Sequence, residues 1–106
     1  MAGVTPIPAL NSQVATGNTA VNAFGPNPNG GFLQNPLLAG DQGLATAEDL
    51  IVNPVTTAAA PGVAGGVNGT NFRIPPGGSW EVIAGQTTPT SMNAAGSGHK
   101  IAGVSW

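Results

Sequence analysis

The chain has 106 residues, the length of one domain, and its 17 Gly and 10 Pro make up about a quarter of it, roughly twice ordinary usage. Apolar residues are 41 %, but 16 of them are Ala, and only six side chains are charged: Asp41, Glu48, Asp49, Arg73, Glu81 and Lys100. This excludes a highly charged disordered tail, and two cations are too few to neutralise the phosphates of a nucleic acid.

There is no cysteine, so no disulfide framework, thiolate zinc site or thiol nucleophile is available. The first forty residues lack Lys and Arg, and Pro6 and Pro8 interrupt the early apolar run, so Sec-type export is not expected. No stretch is long and apolar enough to suggest a membrane span. A net charge of −2 carried by six groups is a poor solubilising surface for a free monomer, so much of the surface is expected to be covered by a partner.

Residues 1–40 carry no charge, and Pro and Gly cluster at Thr5–Pro8 and Gly25–Gly31. Proline fixes φ and lacks an amide donor, so neither a helix nor a central strand should run through these clusters. The expectation is an extended arm over 1–40 and a compact β domain over 41–106. Val4, Ile7, Leu10, Val14, Phe24 and Phe32 punctuate the arm, whereas solvated linkers are poor in such residues. An apolar segment without a core of its own should dock on another surface, with those six as its contacts.

After the turn signal Asp41-Gln42-Gly43, Thr46-Ala47-Glu48-Asp49 resembles a weak helix cap and suggests one helical turn before Leu50. Leu50–Asn53 reads as a buried strand closed by Pro54, Thr56–Val67 as a surface loop, and Asn68-Gly69 as a hairpin turn into a strand at Phe72–Ile74. Pro75-Pro76-Gly77-Gly78 turns the chain into Ser79–Ala84, whose alternation puts Trp80 and Val82 on one face and Glu81 and Ile83 on the other. A strand at Pro89–Asn93 follows. The last strand, from His99, places Ala102, Val104 and Trp106 opposite Ile101, Gly103 and Ser105. Short strands every 8–12 residues with Gly/Pro turns predict an all-β fold, a small β-sandwich or jelly-roll-like barrel. Trp80, Val82, Val104 and Trp106 are expected in its core or at a subunit interface. About 65 residues with so few large apolar side chains are marginal alone, which favours a homo-oligomer.

Catalytic signatures are missing. His99, the sole histidine, lies two residues from Ser97 without the G-x-S-x-G pattern, and is expected to hydrogen-bond across a turn or interface. The four carboxylates lack calcium-loop spacing and read as solvated or helix-terminal, and the Gly-rich run 62–66 matches no phosphate-binding loop. No enzyme activity, metal or cofactor is expected. Trp80 is a candidate platform for stacking a sugar. Arg73 and Lys100 should each have a specific partner, Glu81 or a residue of another chain.

Two segments carry a family resemblance: Thr70-Asn71-Phe72-Arg73-Ile74-Pro75-Pro76-Gly77-Gly78-Ser79-Trp80-Glu81-Val82 and Asn93-Ala94-Ala95-Gly96-Ser97-Gly98-His99-Lys100-Ile101-Ala102-Gly103-Val104-Ser105-Trp106. Behind a charge-poor Gly/Pro arm, they resemble the small head-decoration, or capsid cement, proteins of tailed bacteriophages. The resemblance implies a virion structural protein, made in the host cytoplasm, that binds the outside of the major capsid lattice, with a trimer favoured. Its arm would run over neighbouring major capsid protein subunits, and its function would be to resist the pressure of packaged DNA. It carries over no capsid-contact residue. The competing expectation is a fibre, spike or adhesin β-module that binds host surface glycans.

Overall fold

The computed structural model describes residues 5–61 and 69–106. Its elements run β1 (Ile7–Pro8), β2 (Gln13–Val14), β3 (Val21–Phe24), β4 (Gly31–Gln34), α1 (Ala39–Gln42), β5 (Leu50–Asn53), β6 (Phe72–Ile74), β7 (Ser79–Glu81), β8 (Thr90–Asn93), β9 (His99–Lys100) and β10 (Ala102–Ser105). The strands are short because Gly and Pro recur between them, and every pairing is antiparallel. One four-stranded sheet has the order β1-β10-β4-β7, a second the order β3-β8-β5-β6, and β2 pairs with β9 in a small ribbon. The fold is all-β.

Both four-stranded sheets and the ribbon contribute to one core. Leu33 and Val82 from the first sheet side meet Ala23, Phe24, Leu50, Val52, Ile74 and Met92 from the second, with Val14, Ala94 and Ile101 completing the cluster. At one margin the rings of Phe72 on β6 and Trp80 on β7 lie 4.8 Å apart, tilted by 38°, so two edge strands close the layers with an aromatic contact.

The outer face of the second sheet is covered over its central strands, β5 and β8, while Asn22 and Arg73 on the edge strands stay exposed. Ile51, Asn53, Ser91 and Asn93 alternate away from the core yet are buried, because the segment after β5 folds back over them. Ser91 Oγ accepts from the Ala58 N–H at 2.9 Å, Asn93 Nδ2 donates to the Ala58 carbonyl at 3.2 Å, and Asn53 Oδ1 accepts from the N–H groups of Val55 and Thr56. Those bonds explain how polar side chains sit inside a small domain.

Several expectations are corrected. Residues 7–34 are extended, as expected, but they do not form an arm separate from a body over 41–106. β4 lies inside the first sheet between β10 and β7, and β3 forms an edge of the second. Val14 and Phe24, expected as docking contacts, are core residues with 0 % and 1 % exposure. The Pro/Gly clusters flank these strands, except at Gly31, the first residue of β4, and at Pro8, which occupies an edge strand where its missing donor is tolerated.

The helical turn falls at Ala39–Gln42, not at Thr46–Asp49. Gln42 Oε1 accepts the Glu48 N–H at 2.9 Å, which fixes the 46–49 segment as a loop. The strand starting at Ser79 ends at Glu81, although Val82 is buried and Ile83 exposed as the alternation requires. In the last strand Ile101 and Ser105 face inward, while Val104 and Trp106 face out and are half-buried. The predicted turn at Asn68-Gly69 and the loop over 62–67 lie largely outside the described residues, as does Val4; Gly69 itself has φ +59.

Candidate functional site

Two arrangements stand out, one enclosed and one open. The enclosed one is a polar cluster drawn from four segments: Asn35 after β4, Gln42 on α1, Glu48 before β5 and His99 on β9. His99 is fully buried, with Nε2 2.7 Å from Asn35 Oδ1 and Nδ1 3.0 Å from Glu48 Oε1. Asn35 Nδ2 donates to the carbonyls of Glu48 and Ile74, and Gln42 Nε2 contacts Asn35 Oδ1 and the carbonyls of Pro36 and Glu48. Glu48 Oε1 also accepts the Gly96 N–H at 2.8 Å.

His99 is expected to bond across a turn or an interface; instead its partners are the long-range residues Asn35 and Glu48, 64 and 51 positions away in the same chain. Asn35 and Gln42 carry no signal of this cluster in the sequence, and Glu48, expected to be solvated or helix-terminal, is part-buried in it. Both nitrogens of the ring are engaged and the ring is sealed from solvent, so the cluster joins segments up to 64 residues apart. Among the described residues no three His, Asp or Glu side chains gather as metal ligands.

The open arrangement is the outer face of the first sheet. Pairing registers place Pro8, Val104, Phe32 and Glu81 side by side across all four of its strands. Phe32 is 47 % exposed, and Ile83, two residues beyond Glu81, is 54 % exposed. No described segment covers this row as the segment after β5 covers the second sheet.

Trp106 stands at one end of the face and is held by backbone bonds to the turn before β4. Its N–H donates to the Gly30 carbonyl at 3.1 Å, and its carbonyl accepts the Asn29 N–H at 2.5 Å. The indole lies directly over Gly30, where a Cβ would stand 2.9 Å from Nε1, so only glycine admits this approach. Trp106 lines two depressions. One, of about 500 Å³, is shared with Asn29, Phe32, Glu81 and Ile83. The other, of about 280 Å³, is shared with Ile7, Leu10, Pro26 and Pro28.

The predicted residues therefore divide. Ile7, Leu10 and Phe32 are exposed and line the depressions beside Trp106; Val14, Phe24 and Val82 are interior; Trp80 and Val104 are half-buried. Arg73 pairs with Asp49 at 2.7 Å on the exposed surface, not with Glu81. Sequence alternation could have found the Phe32 row, since both faces of β4 and β7 are readable. It could not show which strands lie beside one another.

The fold and this face define a small antiparallel β domain with one uncovered outer face, where the apolar row of Val104 and Phe32 is bordered by Gln34, Ser79 and Glu81. No family model matches the chain, and no curated protein or solved structure is found to be similar to it.

Proposed function

We propose that this protein is a virion structural protein, a capsid decoration or cement protein of a tailed bacteriophage that binds the outside of the major capsid lattice and stabilises it against internal DNA pressure. The observation that carries this reading is the asymmetry between the sheets: the second has the outer side of its central strands covered, whereas the first leaves Phe32, Val104, Ile83 and Trp106 on an almost uncharged surface. Contiguous apolar surface of this kind marks an interaction site. The scarcity of charge and the resemblance of residues 70–82 and 93–106 to cement proteins support the same partner, the major capsid protein.

The docking elements on this reading are Phe32 in one depression beside Trp106 and Ile7 and Leu10 in the other, not a free arm. Many copies, each making a modest contact, reinforce a lattice through avidity. A homotrimer placed at threefold positions of the capsid belongs to the same proposal, and no catalytic step does. Glycan binding through Trp80 has less support, because that ring packs on Phe72 and against the core cluster.

The deciding experiment mixes purified protein with empty capsids of the source system, pellets them and counts bound copies per major capsid subunit. Saturation at a fixed lattice ratio is expected. No binding, or a handful of copies per particle, overturns the reading and turns attention to glycan screening. Sedimentation equilibrium of the free protein tests the trimer.

A further inference from the structure

We propose that the depression between Glu81 and Trp106 is a receptor for an arginine side chain presented by a partner protein. Glu81 sits in the outer row of the first sheet beside Phe32, and the same depression is lined by Ile83 and the Trp106 indole. Among the described residues no hydrogen bond or ion pair engages the Glu81 carboxylate; the acids that are paired are Asp49, with Arg73, and Glu48, with His99.

A surface with so few charges has placed one carboxylate on the edge strand β7, at the end of the Val104–Phe32 row. Covering that face with an uncharged partner would strip water from the carboxylate and leave it without a counter-charge, which is strongly unfavourable. A partner that brings a cation removes the penalty. The aromatic lining selects among cations, because a guanidinium stacks on indole and phenyl faces and forks onto a carboxylate, whereas an ammonium remains a hydrated point charge.

A second copy of this chain is a poor donor of that cation. The sequence has two cations, Arg73 and Lys100, and Arg73 is already committed to Asp49 at 2.7 Å. The arginine therefore comes from a different protein. On the functional reading above, on which the partner's identity rests, it belongs to the major capsid protein; the chemistry of the depression stands without that reading.

The test is an NMR titration of the full chain with the blocked tripeptide N-acetyl-Gly-Arg-Gly-amide, following the Trp106 indole N–H and the Glu81 and Phe32 amides. Lysine and citrulline versions serve as comparison probes, citrulline being close to the neutral isostere of arginine. Expected are saturable shifts centred on Trp106, with affinity in the millimolar range that falls about tenfold or more with citrulline and about tenfold in Glu81→Gln. Glu81 is exposed, so the Gln variant should keep the wild-type spectrum elsewhere.

Equal binding of the citrulline peptide, an unaltered affinity in Glu81→Gln, or shifts absent from Trp106 would each overturn the proposal. Lysine binding as tight as arginine overturns the selection of a guanidinium. Capsid pelleting of the same variants separates the two readings: peptide binding at Trp106 without capsid binding sinks the cement function alone. Capsid saturation without any peptide response at Trp106 sinks the arginine receptor alone.

Discussion

His99 Nε2 stands 2.7 Å from Asn35 Oδ1, inside the domain, and the surrounding bonds say which way the Asn35 amide points. Its nitrogen faces two carbonyls, those of Glu48 and Ile74, at 2.9 and 3.0 Å, so its oxygen must face the ring. His99 Nε2 is then the donor. The other ring nitrogen meets Glu48 Oε1, which leaves the imidazole with an acceptor on each side. Neither nitrogen is free to act on a substrate in this arrangement.

This cluster should behave as a structural lock. His99→Ala removes one of the partners of Asn35 Oδ1 and of the part-buried Glu48 Oε1 and empties a fully buried site, and the loss is expected to be about 3 kcal/mol of unfolding free energy. Asn35→Ala should cost a similar amount, and the double variant less than the sum, because both remove the same contact. Urea unfolding of the three variants measures this. A loss of less than about 1 kcal/mol in His99→Ala would show the lock to be unimportant.

Gly103 offers a second test, of how the two sheets meet. It faces inward on β10, where a Cβ would lie 2.9 Å from Phe24 Cζ. Phe24 is 1 % exposed, so its ring has little room to retreat. Gly103→Ala is expected to cost about 1–3 kcal/mol through overpacking. In a Phe24→Leu background, the added methyl should cost less. Equal costs in the two backgrounds would mean that the Phe24 ring does not set the limit.

The strands at 50–53, 72–74, 90–93 and 102–105 are legible because turn residues bracket short β-branched or alternating runs. What misled the sequence reading was the first third of the chain. Absence of charge and repeated Pro outweigh Val21–Phe24 and Gly31–Gln34, two four-residue runs whose only signal is two large apolar side chains each. The phase of β10 was ambiguous for a related reason. Alternation defines two faces, and here the inward one carries Gly103 and Ser105 because Phe24 from the facing sheet fills the space. The His99 cluster left no sequence signal at all, since its members are spread over 64 residues and each is an ordinary polar residue.

Trp80 separates a packing role from a glycan-stacking one. Its ring lies against Phe72 and the core, and its Nε1 is buried with no acceptor among the described residues. A buried donor without a partner adds nothing to stability, so Trp80→Phe should stay within about 1 kcal/mol of the wild type. Trp80→Ala removes the packing and should cost about 3–5 kcal/mol. Thermal and urea unfolding distinguish the two. A larger loss in the Phe variant would mean that the indole N–H has a partner, such as an ordered water.

The last prediction concerns the first thirty residues. An appended arm could be removed without harm to the body, but residues 7–24 here supply β1, β2 and β3 and three core side chains, Val14, Ala23 and Phe24. Deleting 2–30 would expose the inner surface of β8 along the β3 edge and leave β9 and the outer side of β10 without their partners. Losing Phe24 alone is worth about 3–5 kcal/mol, comparable with the whole stability of a small domain. The truncated chain is expected to lose its cooperative unfolding transition and most of its dispersed amide spectrum. A truncation that kept both would show that residues 41–106 fold independently, and would restore the view of the first segment as a detachable arm.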